Sequence, residues 1–332
     1  MRWTILCGGP AGQGPNLLSS LISKGLVEKG FFVFASRDYE SRIRGGHNFN
    51  LVTFSESPIM SNDSKVDILI ALDDLAEKRH EKDISKNTLV IKDKDNIKCA
   101  GMVYKLLGLD FSLLDKLLQK LSNYEENKAD AKAGYDSETR TLKHTPPKKH
   151  KSVSFMTGNE AVASGAVESD LDIYYGYPMT PATGVLTELS QRQLNAKHIA
   201  VELENEISVI NASIGSALTG AKTMLGTSGG GFDLMTEGLS LSGITDTPLV
   251  IHLAQRPGPA TGVPTYTSQG DLNLARHAGH GEFARVVVAP GDTLEATEKT
   301  TQLFYLSQKY RVPAILLTDK HLVESSYTQT EK

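Results

Sequence analysis

A few short stretches of this 332-residue chain combine side chains that do chemistry with residues that fix a backbone. In YYGYPMTPAT (174–183) an apolar run stops at Pro178, and two hydroxyls, Thr180 and Thr183, then bracket Pro181. A plain connection needs turn residues but not paired hydroxyls held by prolines, so this stretch is a candidate floor for a ligand site. QRPGPATGVPTYTSQGDL (255–272) has prolines at 257, 259 and 264 and an arginine, Arg256, near its start. The prolines either stiffen a surface Ω-loop or aim Arg256 at an anion, whose carboxylate suits a planar guanidinium. In ELENEISVINASIGSALTGA (202–221), Glu206 falls at a strand-to-helix turn, followed by Ala212, Ser213, Gly215, Ser216, Ala217, Gly220 and Ala221. The carboxylate is either a charge placed on a helix dipole, which the pattern favours, or a proton-handling group. The small residues admit close approach of another surface, such as a second subunit.

Two glycine-rich turns need weighing. GTSGG (226–230) matches G-x-S-x-G between a strand and a helix, the setting of a nucleophile elbow, with Asp246 and His252, His277 or His280 downstream in the order of a serine triad. Against a nucleophile, Gly229, Gly230 and Gly231 should delay the helix and brace Ser228 poorly. A backbone-lined ligand loop accounts for them better. GGPAGQG (8–14) does not fit G-x-G-x-x-G, because Ala11 stands where the second glycine belongs, and no Gly-Lys-Ser/Thr follows to make a P-loop. It is either an anion site at a helix N-terminus or a tight turn between strand and helix.

The elements that must position these residues form two alternating series. WTILCGG, FFVFAS, HNFNLVTFS, KVDILIALDD and NTLVIKD read as strands in the first half, with a helix over NLLSSLISKGLVEKG that Gly30 should stop. The second half runs DIYYGYP, HIAVELE, AKTMLGTS, PLVIHLAQR, RVVVAP and PAILLTD, with helices at TGVLTELSQRQL, EISVINASIGSALTG, GFDLMTEGLSLSGI and TLEATEKTTQLFYLSQKY. Consecutive βα units predict a doubly wound, mostly parallel sheet, in which ligands sit beyond the carboxyl ends of the strands. That rule selects PMTPAT, ENE, SGGG and QRPGPATG. The expected organisation is an α/β domain over 1–122, a short helix (NKADAKAGY) and exposed linker (HTPPKKHK) over 123–152, and a second α/β domain over 153–332. The cluster KKHK reads as solvated linker charge ahead of an anion-binding site.

Composition excludes several classes. With 39% hydrophobic and 22% charged residues and a net charge of −4, nothing pulls the chain toward nucleic acid or an acidic membrane. Cys7 and Cys99 are its only cysteines, too few for a disulfide framework or a cysteine-bound cluster on this chain. MRWTILCGGP turns to glycine too early for a secretory h-region, and no apolar run approaches membrane length, so a cytoplasmic setting is expected.

The motifs resemble those of the 2-oxoacid:ferredoxin oxidoreductases, in particular an α subunit with a fused N-terminal γ-type domain. YPMTPAT is similar to the family's Tyr-Pro-Ile-Thr-Pro motif, and ENEISVINASIGSALTGAKTMLGTSGGGFDLM resembles the helix, strand and glycine loop of its pyrimidine-binding domain. QRPGPATGVPTYTSQGDL is close to the substrate loop of the 2-oxoglutarate and broad 2-oxoacid branch, and YESRIRGGHNFNLVTFSESPI (39–59) resembles the γ-domain stretch built on Arg-Gly-Gly. The resemblance covers nearly the whole chain. It implies oxidative decarboxylation of a 2-oxoacid on thiamine diphosphate, with CoA as co-substrate and electrons passed to ferredoxin. It implies Glu206 as the residue that activates the cofactor by protonating its aminopyrimidine, Thr180 and Arg256 as partners of the substrate carboxylate, and Thr183 as a helix cap. Tyr177, Pro178, Ser228, Gly229 and Gly230 would line the cofactor. It also implies a β subunit that shares the thiamine diphosphate and carries Mg2+ and a [4Fe-4S] cluster.

Two departures stand out. Met179 replaces the family's isoleucine, a volume-conserving change. The chain ends at Lys332, soon after PAILLTD, where the family's α subunit continues into a further domain. Two other readings are therefore carried forward: a serine hydrolase using Ser228, and a catalytically silent partner-binding fragment.

Overall fold

A computed structural model of the chain describes residues 2–40, 46–142 and 153–330. The chain forms two compact units, Met1–Phe155 with Ser326–Lys332, and Met156–Ser325. The Arg-Gly-Gly motif at 44–46 falls largely outside the described residues, as does HTPPKKHK (144–151).

The first unit runs β1 (Arg2–Pro10), α1 (Pro15–Lys29), β2 (Phe32–Tyr39), β3 (His47–Ser55), β4 (Ile68–Ala71), α2 (Ala76–Arg79), β5 (Leu89–Lys92), α3 (Asn96–Leu106), α4 (Phe111–Leu118) and α5 (Tyr124–Ser137). Its sheet is mixed. β1 pairs antiparallel with β3 and parallel with β4, and β2 and β3 are antiparallel neighbours. Gly30 stops α1 as expected: its φ of 102° is open to glycine without steric cost, and its amide returns to the carbonyls of Leu26 and Val27. The turn of GGPAGQG is packed on α3, with Asn96 Nδ2 donating to the Gly14 carbonyl at 3.3 Å.

The segment expected to hold a short helix and linker contains more structure than that. α5 is 14 residues long and packs on α3. Its poverty in large aliphatics suits the packing. Gly101 of α3 lies against the Ala131 carbonyl, and Gly134 of α5 lies against the Lys98 carbonyl, so the two backbones meet directly.

The second unit begins at the end of β6 (Val153–Thr157) and continues through α6 (Gly158–Glu168), β7 (Ile173–Gly176), α7 (Thr183–Arg192), a 3-10 turn at Gln193–Asn195 and β8 (Ile199–Glu202). Next come α8 (Glu206–Leu218), β9 (Thr223–Thr227), α9 (Gly229–Leu234), α10 (Thr236–Ile244) and β10 (Leu249–Gln255). The last elements are α11 (Leu272–His277), β11 (Val286–Val288), α12 (Thr293–Tyr310), β12 (Pro313–Asp319), α13 (Lys320–Glu324) and β13 (Ser326–Thr330). β13 belongs to the first unit, pairing antiparallel with β2 through Ser326↔Ala35 and Tyr327↔Phe34. The expected second domain of 153–332 therefore loses its last strand, because the free edge of β2 satisfies backbone groups that β13 carries.

Helix α6 has no counterpart in the expected element list. Its N-terminus carries a reciprocal capping box: the Glu160 amide donates to Thr157 Oγ1 at 3.1 Å, and the Thr157 amide donates to Glu160 Oε2 at 2.6 Å.

All strands of the second sheet are parallel, in the order β11-β12-β10-β9-β7-β8. Alternation splits its side chains between two cores. Met224, Val250 and Leu316 face Val162, Leu189 and Leu303, while Leu225, Ile251 and Leu317 face Ile210, Phe232 and Leu239. The fold is therefore the expected doubly wound α/β sheet, buried on both faces. Among the described residues, no helix is long and apolar enough to cross a membrane.

One core residue makes the fold sensitive to acid. His252 of β10 is fully buried, its Nε2 2.8 Å from Thr318 Oγ1 and its Nδ1 without a partner. Burial pushes its pKa down from 6.5 to about 3. A ring kept neutral in the folded state contributes stability that is complete above the unfolded value and drains as pH falls toward the folded one. The expected loss is about 1.4 kcal/mol per pH unit below 6.5. Denaturant melts at pH 7 and pH 5 should show a smaller pH effect in His252→Gln than in the native chain; equal effects would refute the assignment.

Candidate active site

Beyond the carboxyl ends of the parallel strands, the chain moves from β7 outward to β8 and then returns to β9 on the other side of β7. That reversal opens a crevice between the loop after β7 and the turn after β9, the expected place for a ligand. Gly176, Glu202 and Gly226 lie side by side there.

The loop after β7 has Tyr177 and Pro178 exposed at its rim and Thr180 half-buried. Arg256, which follows β10, is 8% exposed and donates from one terminal nitrogen to the Thr180 carbonyl at 2.8 Å. The two residues expected to share an anionic substrate are thus brought together, through the backbone oxygen of Thr180 and not through its hydroxyl. Arg256 Nε is buried without a partner. Burial pulls the guanidinium below its ordinary pKa, and the nearby carboxylates of Glu206 and Asp271 pull it back. Thr183 does not cap α7. It is the first helical residue, Ala182 holds the cap position, and no side chain closes that end. Met179 Sδ stands 3.9 Å from Thr227 Oγ1, so the departure from isoleucine replaces a hydrocarbon with a weak acceptor for that hydroxyl.

Glu206 opens α8 immediately after Asn205, whose side chain accepts from the Ser208 amide at 2.9 Å. The cap fixes where the glutamate emerges. Its side chain is 4% exposed within this chain alone, and Oε1 has no hydrogen-bond partner. Gly231 packs on it so closely that a Cβ there would stand 2.8 Å from Oε1. The glycines after Ser228 do not delay the helix: α9 starts at Gly229. Each glycine makes room for a neighbour, Gly229 for the Asp271 carboxylate, Gly230 for the Ala260 carbonyl and Gly231 for the Thr227 hydroxyl first and then Glu206.

A serine triad is not assembled. Ser228 Oγ is wholly buried without a partner, His252 is engaged with Thr318 inside the sheet, and His277, His280 and Asp246 are exposed. Instead, Glu206 and Asp271 lie within electrostatic reach of Arg256, and Glu206 Oε1, Ser228 Oγ, Arg256 Nε and Asp271 Oδ2 are buried with no hydrogen-bond partner among the described residues. Asp271 was not among the expected site residues. An aspartate ahead of LNLAR reads locally as a helix cap, and nothing in the stretch points to another task.

A doubly wound parallel sheet with its polar groups at the switch point defines a ligand-binding α/β domain. Residues 164–332 match the family described as "Pyruvate flavodoxin/ferredoxin oxidoreductase, thiamine diP-bdg", and residues 4–100 match "Pyruvate ferredoxin/flavodoxin oxidoreductase". The chain belongs to this pyruvate and 2-oxoacid:ferredoxin oxidoreductase family. It is 29% identical over 416 residues to a 2-oxoacid:ferredoxin oxidoreductase α subunit from Sulfolobus sp, covering 99% of this chain and 66% of the relative. A 2-oxoglutarate synthase subunit of Archaeoglobus fulgidus is 36% identical over 176 residues, covering 52% of this chain and 51% of the relative. Among solved structures, 2-oxoglutarate:ferredoxin oxidoreductase from Magnetococcus marinus, with 2-oxoglutarate, coenzyme A and succinyl-CoA bound, superposes with a TM-score of 0.88. That match has 25% identity and covers 100% of this chain and 66% of the neighbour. The chain thus spans about two thirds of the length of its full-length relatives.

Proposed function

We propose that the chain is the α-type component, with a fused γ-type domain, of a thiamine diphosphate-dependent 2-oxoacid:ferredoxin oxidoreductase acting on 2-oxoglutarate or a similar acid. The observation that carries this reading is the buried, unpartnered carboxyl of Glu206 pressed on Gly231, with Arg256 tied to the Thr180 loop at the same switch point. These residues fit the cofactor. A sheltered carboxyl suits a ring nitrogen that must gain a proton, and the Ser228–Gly231 turn has no side chain between Glu206 and its own backbone. When bound, thiamine diphosphate supplies the electron sink for decarboxylation. Glu206 holds and returns the proton at the pyrimidine ring, and Ser228, Gly229 and Gly230 line that ring. Tyr177 and Pro178 form the rim.

Arg256 and Thr180 orient the substrate carboxylate. Arg256 is preorganised, since one arm is already spent on the Thr180 carbonyl while Nε has no partner among the described residues. A cytoplasmic β subunit that holds the diphosphate, Mg2+ and a [4Fe-4S] cluster completes this reading, with CoA as acyl acceptor and ferredoxin as electron acceptor.

The test is reconstitution with that β subunit and measurement of CoA-dependent dye reduction with 2-oxoglutarate. Replacing Arg256 by Met removes a charge-assisted contact of about 1.5–3 kcal/mol, so KM should rise by roughly ten- to a hundredfold with a smaller change in kcat. A native KM in that variant would overturn the assignment of Arg256.

A further inference from the structure

Asp271 occupies the cap position of α11, yet its side chain makes no cap bond. Three other aspartates at this position do make one, while Asp110 ahead of α4, which is paired with Lys29 instead, does not. Asp95 accepts from Ile97, Asp292 from Glu295 and Asp319 from Leu322, at 2.8–2.9 Å. Such a bond contributes about 1 kcal/mol, so forgoing it is a local cost. The Asp271 carboxylate instead lies over Gly229, where a Cβ would stand 2.5 Å from Oδ2, and Oδ2 is buried without a partner. The backbone is held in that place separately, by the Asp271 amide donating to Gln255 Oε1 at 2.9 Å.

The charges around it are lopsided. Arg256 lies within electrostatic reach of both Glu206 and Asp271 but forms an ion pair with neither, and Asp271 also feels Asp233 of α9. The Asp271 amide bond to Gln255 places it beside the residue that precedes Arg256. Arg256 is anchored by the Thr180 carbonyl, so Asp271 is not what positions it. One guanidinium is therefore the cation within reach of both carboxylates, paired with neither, before a substrate brings a third.

Resting on the reading of Arg256 as the substrate's partner, we infer that Asp271 couples substrate binding at the 2-oxoacid site to uptake of a proton. Its carboxylate competes with that of the substrate for Arg256, so a 2-oxoacid anion binds together with a proton that settles on Asp271. Burial, and then the charge of Asp233, already push the Asp271 carboxyl above its ordinary range, while Arg256 pulls it down. Substrate binding that occupies Arg256 weakens the one influence opposing protonation.

The experiment is calorimetric titration of 2-oxoglutarate into the complex with its partner subunit and cofactor, in buffers of different ionisation enthalpy. The native complex should take up protons on binding, and progressively fewer as the pH is raised. Asp271→Asn, which keeps shape and removes charge, should bind roughly five- to tenfold more tightly at pH 7 and without proton uptake. Glu206 and Asp233 remain in that variant, so uptake that persists in it belongs to one of them and overturns the inference. Unchanged or weaker binding in Asp271→Asn overturns it too, as does native binding without proton uptake, a result that needs no variant to fold. Failure of the underlying reading looks different: 2-oxoglutarate then fails to bind the native complex, or binds it equally well after Arg256→Met.

Discussion

Glu206→Gln is expected to lower thiamine-dependent turnover of the reconstituted complex by at least a hundredfold while leaving the chain as stable as before, or more so. Removing a general acid–base group typically costs two to four powers of ten, and a glutamine cannot deliver a proton to a ring nitrogen. The stability half of the prediction is more discriminating. Glu206 is 4% exposed and its Oε1 has no hydrogen-bond partner among the described residues, so in isolation the side chain bears a desolvation cost with no hydrogen bond to Oε1 in return. The attraction of Arg256 and of the α8 N-terminus offsets part of that cost, and the neutral isostere bears less of it. A structural glutamate would show the reverse, with a melting point that falls on substitution and activity that falls only as far as folding does. Turnover within threefold of native would sink the catalytic role, and a large drop in melting temperature would reassign the residue to the fold.

The second unit was legible because its signals are local and strong. Runs such as LVIHLAQ and PAILLTD are buried on both faces and carry no polar alternation, and they became β10 and β12. Once parallel strands were recognised, the strand-end rule selected the stretches PMTPAT, ENE, SGGG and QRPGPATG with no knowledge of contacts, and of the residues the family resemblance then singled out in them, Glu206, Ser228 and Arg256 are buried there. What stayed hidden depends on long-range pairing or on small residues. NEAVASGAVE has too few large aliphatics to show a helical stripe, although Thr157 and Glu160 stood at capping-box spacing. SYTQT gives no local sign that its partner strand lies almost 300 residues back. Thr183 failed as a cap because α7 starts one residue early, and Thr180 meets Arg256 through an oxygen that every residue type carries. Asp271 was obscured by its own plausibility as a cap.

The same substitution at two helical glycines is expected to have opposite signs. By propensity alone, alanine beats glycine in a helix by up to about 1 kcal/mol. At Gly215 on α8 an added Cβ has nothing within 4 Å, so Gly215→Ala should stabilise the isolated chain by roughly 0.5–1 kcal/mol. At Gly134 on α5 the new methyl overlaps the Lys98 carbonyl oxygen of α3, and at Gly101 it overlaps the Ala131 carbonyl from the other side. Neither obstacle is a flexible side-chain tip. The helices must separate, and the fully buried Cys99, Ala100, Val103 and Ala131 that pack between α3 and its surroundings lose contact. Overpacking of this kind costs about 1–3 kcal/mol and more where backbone must move, which exceeds the propensity gain. Gly134→Ala should therefore lower the thermal midpoint of the first unit by roughly 5–10 °C, with Gly101→Ala close behind. Because the two methyls press on one helix pair, the double variant should lose less than the sum of the singles: once the helices have parted for one methyl, the second finds room. Additive losses would mean that the two contacts yield independently, and a stabilised Gly134→Ala would mean that α3 and α5 are not in backbone contact at all.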